Sequence, residues 1–413
     1  NFNMNPELLF TPGDILLPQD TDMRKWSVIA CDQYTSQPEY WDQLGDYVGD
    51  APSTLHMVFP EAYLNRDDGK RIASINHTMQ DYLKKGLFRS YPDSFFYVER
   101  TLTDGSIRKG LIGKLDLLEY EYSEKSQSLI RPTEKTVESR IPPRVKIREH
   151  ALLELPHIMV LIDDPGKSVI EPVSDESGNY ETLYDFDLWE GGHICGKRIP
   201  KEKNQSICAA FGSLFSRHCA QGNPAILVGD GNHSLATAKA CFEKLRQTLP
   251  KEQWINHPAR WALAELVNLQ DDALKFEPVH RVVFDTDPKA LLYDLQNTFP
   301  VDGQGFPLQC IIQGQEQTIP VGFPAGILPI GPLQKFLDTW LNTHTGVLDY
   351  IHDDGALRDL ASRPGSIGFL LPPMEKNALL PTVQQEGSLP RKTFSMGHSC
   401  EKRYYLEARK ILP

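Results

Sequence analysis

The sequence lacks the long apolar runs and paired cysteines that define several classes of protein. No run of eighteen apolar residues occurs among the 413 residues, so no membrane-spanning helix is predicted. The seven cysteines are scattered, and no two of them form a CxxC pair. This pattern excludes a disulfide framework and a zinc knuckle and is typical of a reducing compartment. We therefore expect a cytoplasmic protein.

Basic charge is also in short supply. The chain has 43 Lys and Arg residues against 55 Asp and Glu residues, a net charge of −12 that is spread without blocks. An acidic chain repels the phosphate backbone, which disfavours general nucleic-acid binding. The composition, 40% apolar and 24% charged, is that of a globular protein long enough for two or three domains.

The established nucleotide-binding signatures are missing as well. The segment GGHICGKR has the glycines and lysine of a Walker A loop, but Arg198 stands where that loop needs a hydroxyl to hold magnesium. In DDPGKSV, Leu161 occupies the position of the first glycine. No GxGxxG follows a strand, and GxSxG, HExxH and the kinase signatures are absent.

Strand and helix patterns alternate along the chain, which predicts a mixed α/β (α+β) fold. We expect a central mixed sheet with flanking helices, a strand–turn–helix unit at its core, and a smaller C-terminal α/β subdomain. From about residue 301 the composition becomes rich in Gly and Pro, with short β runs. The predicted regions are an N-terminal α/β region (1–130), a central motif-bearing domain (131–300) and a C-terminal α+β subdomain (301–413).

The stretch NPAILVGDGNHSLATAKACFEKL, Asn223–Leu245, predicts a buried strand that turns into an amphipathic helix. Between them, Gly229 and Gly231 allow positive φ and a close approach of the backbone to a ligand. The helix start offers free N–H groups and the positive end of the helix dipole, which together bind anions. Asn232 or Ser234 is expected to cap the helix.

Asp230 and His233 are the candidate catalytic residues of this turn. Both are expected to project at the carboxyl end of the strand, where ligands of α/β proteins bind. A carboxylate beside an imidazole can exchange a proton with a substrate, or the carboxylate can position a metal. In the alternative interpretation, Asp230 and Asn232 are ordinary turn residues and His233 caps the helix.

A basic segment, RPTEKTVESRIPPRVKIREH, stands out in this acidic chain and is a candidate anion pocket. Its alternative is a solvated surface paired with nearby carboxylates, which contributes little energy. The candidate ligand-binding residues of this segment are Arg131, Glu134, Arg140, Arg144 and Arg148, with Thr136 among them.

Three other polar groups follow or open apolar runs. His280 and Arg281 open a predicted strand and either face the same cleft or cap the sheet edge. Asp32 follows residues 27–31, which are predicted to form a short buried strand. Asp163 and Asp164 end another strand, as paired carboxylates for magnesium would, although Asp-Asp-Pro is also a common turn.

The turn VGDGNHSLATA, together with RPTEKTVESR, PRVKIR and LAELVNLQDDALKFEPVHRVV, resembles a widespread bacterial and archaeal family of uncharacterised proteins. Members of that family carry Asp-Gly-His-His-Arg at the turn. Asp230, Gly231 and His233 match that motif, whereas Asn232 replaces the first histidine and Ser234 replaces the arginine. The turn also resembles that of the ParB/sulfiredoxin-like superfamily, which includes nucleotide-hydrolysing DNA-segregation proteins, sulfiredoxins and nucleotide-dependent free serine kinases.

The more distant resemblance implies phosphoryl transfer, with Asp230 and His233 near the phosphates of ADP or ATP and with Mg²⁺ as a second cofactor. We therefore expect a phosphotransferase that binds an anionic small molecule and acts on a hydroxylated metabolite such as an amino acid. Asp230 would activate the hydroxyl or hold metal, and His233 would relay a proton. Because serine replaces the motif arginine, another arginine substitutes or the chemistry is lost. A non-catalytic nucleotide- or metabolite-binding regulator and a ParB-like DNA-binding protein are the alternatives.

Overall fold

The computed structural model of the chain describes residues 5–66 and 69–413. Their contacts divide the chain into two compact units, one comprising the described residues up to Leu274 together with His398–Pro413, and the other Lys275–Gly397. The fold is mixed α/β, which confirms the predicted class. The three regions 1–130, 131–300 and 301–413 stay a prediction about domain organisation. None of the helices in these residues is long and apolar enough to cross a membrane.

The first unit carries a large sheet and most of the helices. Its helices are α1 Met23–Trp26, α2 Pro38–Val48, α3 Lys70–Lys84, α4 Ile141–Arg148, α5 Ile170–Glu176, α6 Asn204–Ala220, α7 Asn232–Arg246 and α8 Lys251–Trp254. Its strands up to Leu274 are β1 Phe10–Thr11, β2 Gly13–Pro18, β3 Phe88–Ser94, β4 Phe96–Thr101, β5 Ile107–Asp116, β6 Ile130–Pro132, β7 Leu153–Glu154, β8 Met159–Ile162, β9 Glu181–Asp187, β10 His193–Arg198, β11 Ile226–Asp230 and β12 Trp261–Asn268.

The large sheet has the strand order β6-β11-β8-β12-β5-β4-β10-β9, and β1 pairs with β5 beside this path. The pairs β6/β11 and β8/β12 are parallel and the other neighbours are antiparallel, so the sheet is mixed. Successive residues of a strand point to opposite faces. Accordingly, Leu111 of β5 belongs to one buried core, whereas its neighbour Ile112 belongs to another. Apolar residues on both faces of the central strands therefore bury both sides of the sheet.

Several elements lie where the sequence patterns predict them. The apolar stripe around Ile75 and Met79 forms α3, and the turn at Asp104 and Gly105 joins the antiparallel strands β4 and β5. The predicted helix over 205–220 is α6. The motif-bearing unit is also present, because β11 leads directly through Gly231 into α7.

The prediction of a strand at residues 27–31 is wrong. Only an isolated bridge forms there, between Ile29 and Tyr404. Backbone hydrogen bonds from Ala30 to Arg403 and from Tyr405 to Val28 continue the contact, after which the chain turns. The residues are apolar because they are buried against the C-terminal segment of the same unit, and burial does not require a ladder of strand hydrogen bonds.

The second unit is a smaller α/β body with its own core. Its strands are β13 Glu277–Pro278, β14 His280–Phe284, β15 Phe306–Ile312, β16 Gln315–Val321, β17 Val347–Ile351, β18 Ile367–Leu370 and β19 Phe394–Ser395. Its helices are α9 Pro288–Thr298, α10 Ile330–Trp340, α11 Asp354–Leu360 and α12 Lys376–Glu386. Five of these strands form a sheet of order β16-β15-β18-β14-β17. The segment His398–Pro413 belongs again to the first unit, where its strand β20, Arg409–Lys410, pairs with β7.

Candidate functional site

Gly231 makes the turn between β11 and α7. Its φ of 75° and ψ of 29° are left-handed, and a Cβ at this position would lie 2.9 Å from the Cα of Ile158. Both facts require glycine. Gly229 instead remains in β11, where the register against β8 shifts between Val228 and Asp230. The prediction of positive φ is therefore correct for Gly231 and wrong for Gly229, and the backbone that Gly231 approaches closely is that of Ile158.

The helix start at Gly231 has no side-chain cap. The prediction of Asn232 or Ser234 as the cap is wrong, because Gly231 occupies the cap position and Asn232 begins the helix. The Asn232 side chain turns to the basic segment, where its Nδ2 donates to the Glu134 carbonyl at 3.2 Å and to Thr136 Oγ1 at 3.0 Å. Its Oδ1 is buried and accepts no hydrogen bond from the described residues.

His233 is fixed by the same segment. Its Nε2 accepts the backbone N–H of Val137 at 3.1 Å. A neutral imidazole whose Nε2 accepts a hydrogen bond carries its proton on Nδ1. Any proton or hydrogen bond that His233 offers to a ligand therefore comes from Nδ1.

The segment 133–137 runs beside the turn because β6 and β11 are parallel neighbours. Pro132 pairs with Val228, and the Thr133 hydroxyl then donates to the Val228 carbonyl at 2.8 Å. Two stretches of sequence almost a hundred residues apart thus end together at the carboxyl edge of the sheet. This is the place where α/β folds bind their ligands.

Asp230 ends β11 with its carboxylate partly accessible, the side chain being 19% exposed. Burial raises the pKa of this carboxyl above its ordinary value, and the Asp32 carboxylate raises it further. The ammonium of Lys402, 3.8 Å away, and the imidazole of His157 act in the opposite direction. Asp230 is therefore a carboxylate with increased basicity whose charge is balanced by one nearby ammonium group.

Asp32, His157 and Lys402 reach Asp230 from three separate segments. The segment of Lys402 is bound to that of Asp32, because Ala30 donates to the Arg403 carbonyl at 3.0 Å. The His157 ring packs edge-on against Tyr405, with centroids 5.3 Å apart, and its buried Nδ1 has no hydrogen-bond partner among residues 5–66 and 69–413. Sequence reasoning identified Asp32 and missed His157 and Lys402, since neither lies in a recognisable motif.

The arginines of the basic segment are occupied by intramolecular partners. Arg131 is buried and its Nε donates to the Ser128 carbonyl at 2.6 Å. Arg144 pairs with Glu61, and Arg148 donates to Glu154 at 2.7 Å. Arg140 lies half-buried just after Val137, and its carbonyl accepts from Arg144 at 2.6 Å. Of this segment, Glu134, Thr136 and Val137 contact the turn through hydrogen bonds.

His280 and Arg281 lie in the second unit at the start of β14. His280 is buried, with Nδ1 accepting the Leu371 N–H at 2.9 Å and Nε2 2.5 Å from the Asp354 carboxylate. The guanidinium of buried Arg281 donates to Gln334 at 2.9 Å and to the Val279 carbonyl at 2.6 Å. These bonds give both side chains a role in holding the second unit together.

The described residues contain no group of three or more His, Cys, Asp and Glu side chains that could hold a metal. Asp164 does not form a magnesium pair with Asp163. Its carboxylate accepts the Ser168 and Val169 N–H groups at 2.7 and 3.2 Å, and Asp163 accepts from Gln270 at 2.8 Å. These bonds are those expected of turn residues, and a role of the two carboxylates in holding magnesium stays a prediction.

Comparison with known proteins gives one family and several solved structures. The family described as "Protein of unknown function (DUF1015)" matches residues 14–410. No curated protein matches the chain. Free serine kinase in complex with AMP is 11% identical, with a TM-score of 0.40 over 72% of this chain and 91% of that chain.

Two further solved structures are similar at the same level. A conserved hypothetical protein from Pyrococcus furiosus is 11% identical, with a TM-score of 0.37 over 71% of this chain and 93% of that one. SbnI with a C-terminal truncation, from Staphylococcus aureus, is 10% identical, with a TM-score of 0.37 over 69% and 83%.

Proposed function

This chain belongs to the DUF1015 family of proteins of unknown function, and we propose that it is a nucleotide-dependent phosphotransferase whose site is the turn 229–234. The acceptor would be a small hydroxylated molecule such as an amino acid, and the donor ADP or ATP. One observation supports the proposal most: Asn232 and His233 tie residues 134–137 to the uncapped start of α7, beside the partly exposed Asp230.

The uncapped helix start supplies the anion-binding part of the proposed site. α7 has 15 residues, and its first turn carries the positive end of the helix dipole without a side-chain cap at Gly231. Lys402 adds a positive charge close to the same point. In this proposal the ammonium of Lys402 replaces the arginine that the family motif has at Ser234.

Asp230 would serve as the base. The acceptor hydroxyl oxygen attacks the terminal phosphorus, its proton passes to the Asp230 carboxylate, and the bond from phosphorus to the bridging oxygen breaks to release ADP or AMP. The raised pKa of Asp230 suits this role, because a more basic carboxylate accepts the hydroxyl proton more readily. His233 would donate from Nδ1 to a phosphoryl oxygen while Val137 holds its Nε2.

A magnesium ion fits this site only when phosphate oxygens complete its coordination. The Asp32 carboxylate acts on the pKa of Asp230, and Mg²⁺ in proteins is commonly bound by one or two carboxylates plus substrate phosphates. Bound there, the ion would neutralise charge on the phosphate oxygens. Protein groups alone do not offer three ligands among the residues described.

The test is a direct assay of transfer. Purified protein is incubated with ADP or ATP, Mg²⁺ and a panel of hydroxylated amino acids, and phosphorylated product is followed by ³¹P NMR. We expect product with at least one acceptor, and a loss of at least 100-fold in rate for Asp230→Asn. Asp163→Asn, a change in a turn carboxylate, is the matched control. The proposal fails if no product forms or if both variants retain the wild-type rate.

A non-catalytic nucleotide-binding protein is the second candidate, and Ser234 favours it. A hydroxyl at this position cannot make the bidentate phosphate contact that the motif arginine makes. If the protein is such a binding protein, ADP or ATP should raise its melting temperature without any turnover. The variant Ser234→Arg separates the two candidates, because it should strengthen nucleotide binding in either case but create or increase transfer only if the remaining catalytic groups are competent.

A further inference from the structure

A cavity lies in the first unit, and no residue of the turn 229–234 lines it. It is open to solvent on one side, has a volume of about 830 Å³ and is bordered by α2, α3 and two 3₁₀ segments, Thr54–Met57 and Glu61–Arg66. This volume is within the usual range for small-molecule sites, about 300–1,000 Å³. We propose that this cavity binds a small zwitterion that carries an amine at one end and a carboxylate at the other.

The floor of the cavity is apolar. The side chains of Trp41, Val58 and Ile75 line it and are almost completely buried. Such a floor accommodates the hydrocarbon body of a ligand, because removing the ligand's own apolar surface from water releases about 25 cal/mol per Å². The charged groups lie above this floor.

Carboxylates and guanidinium groups occupy different parts of the wall. Asp42 and Asp46 are one helical turn apart on α2, and Arg66 and Arg71 belong to the opposing segments. Tyr63 stands between the two sets: its hydroxyl donates to Asp42, and its ring lies 5.4 Å from the Arg66 guanidinium and 4.8 Å from that of Arg71.

The two sets of charges do not neutralise each other. Among the described residues, neither guanidinium forms an ion pair with a carboxylate, and Asp46 forms none with a basic side chain. The guanidinium groups rest on the faces of Tyr63 and Phe59, which leaves their edges available to an anion. A ligand with both charges satisfies both walls at once, whereas a ligand with one charge is repelled by one of them.

Gly45 keeps the cavity open. It lies inside α2 between the two aspartates, and a Cβ added there would meet no atom within 4 Å. Glycine inside a helix costs about 1 kcal/mol relative to alanine. A larger residue would improve the helix and project into the space, so the glycine at this position is consistent with a volume reserved for a ligand.

The experiment uses the full chain and a series of ω-amino acids from 4-aminobutyrate to 8-aminooctanoate, each paired with the amine and the carboxylate of equal length. Binding is measured by calorimetric titration, with inorganic phosphate as a further probe. We expect at least one zwitterion to bind ten-fold or more tightly than either single-charge partner. Asp46→Asn and Arg71→Gln should each weaken that binding five-fold or more.

Gly45→Leu is the steric variant, since it places a branched side chain on the wall of the cavity and replaces no charged residue. It should abolish binding of the zwitterion while the far-ultraviolet circular dichroism and the melting temperature stay at or above wild type. Gly45→Ala, which adds one methyl group, is the matched control and should retain binding. The proposal is overturned if no zwitterion binds, if phosphate or a single-charge probe binds equally well, or if Gly45→Leu binds like wild type. These outcomes are independent of the phosphotransferase assay, because the cavity shares no residue with the turn.

Discussion

The imidazole Nε2 of His233 accepts the backbone N–H of Val137 at 3.1 Å, and this bond joins residues 96 positions apart in the sequence. Through this bond, His233 holds the polar segment 133–137, which precedes α4, in place. The same bond determines the tautomer of the ring, which is the property on which any function of this histidine depends.

His233→Ala should release the Val137 amide. Because one lost hydrogen bond corresponds to about 1 kcal/mol, we expect hydrogen exchange of this N–H to accelerate about five- to ten-fold. Amide exchange followed by NMR checks this. Thr237→Val is the control, since it removes only the bond from Thr237 Oγ1 to the His233 carbonyl at 2.7 Å. Equal exchange rates of the Val137 amide in wild type and His233→Ala would show that the bond to His233 does not protect this amide.

Gly231→Ala should destabilise the protein by about 2–5 kcal/mol. The left-handed φ costs an alanine about 1–2 kcal/mol, and the overlap of its Cβ with the Ile158 backbone adds about 1–3 kcal/mol. Chemical denaturation measures the free energy of unfolding. Gly86→Ala isolates the first contribution, because φ there is 68° but nothing lies within 4 Å of an added Cβ. Equal losses for the two variants would show that the packing against Ile158 is unimportant.

The local structure of the motif can be predicted from the sequence, whereas the tertiary partners of its side chains cannot. The strand, the glycine turn and the helix of the motif follow from local pattern, because the apolar spacing and the left-handed glycine are properties of neighbouring residues. The partners of the motif do not follow from it. Lys402 comes near Asp230 through the pairing of the C-terminal segment with residues 28–30, and His157 does so through the pairing of β8 with β11. No local rule indicates either pairing. The same holds for the partners of the basic segment. Glu61 and Glu154 pair with Arg144 and Arg148 through tertiary structure, and the role of these arginines as phosphate ligands stays a prediction.

The charge balance at Asp230 should respond in opposite directions to its two neighbours. Lys402→Gln removes the ammonium that lowers the pKa of Asp230, so that pKa should rise. Asp32→Asn removes the like charge that raises it, so the pKa should fall. A ¹³C NMR titration of the Asp230 carboxyl in the ligand-free protein measures both shifts. Lys410→Gln, a change in an exposed residue of the same C-terminal segment, should leave the titration unchanged.

These pKa shifts determine the direction in which the pH dependence of the proposed reaction should move. The base must be ionised, so the acid limb of the rate profile lies at the pKa of Asp230. In Lys402→Gln that limb should move to higher pH, and the rate at a fixed mildly acidic pH should fall. A profile that stays in place in Lys402→Gln while the NMR titration moves would show that Asp230 is not the base.

The buried charges around Arg403 give the last prediction. Arg403 is 1% exposed and donates to the Glu407 carboxylate at 2.8 Å, and its Nε lies 3.5 Å from a Glu265 oxygen. Arg403→Met leaves two buried carboxylates with less positive charge beside them, which should destabilise the protein by about 3–5 kcal/mol at neutral pH. A buried carboxylate without its partner has a raised pKa and is neutralised as the pH falls. The penalty of Arg403→Met should therefore shrink from pH 8 to pH 5, and the double variant with Glu407→Gln should recover part of the loss at pH 8.

Denaturation curves at both pH values measure this penalty, and Arg358→Met, which breaks an exposed pair with Glu316, is the control. A penalty that is the same at both pH values and is not relieved by Glu407→Gln would mean that packing of the long side chain, rather than charge, is what Arg403 contributes.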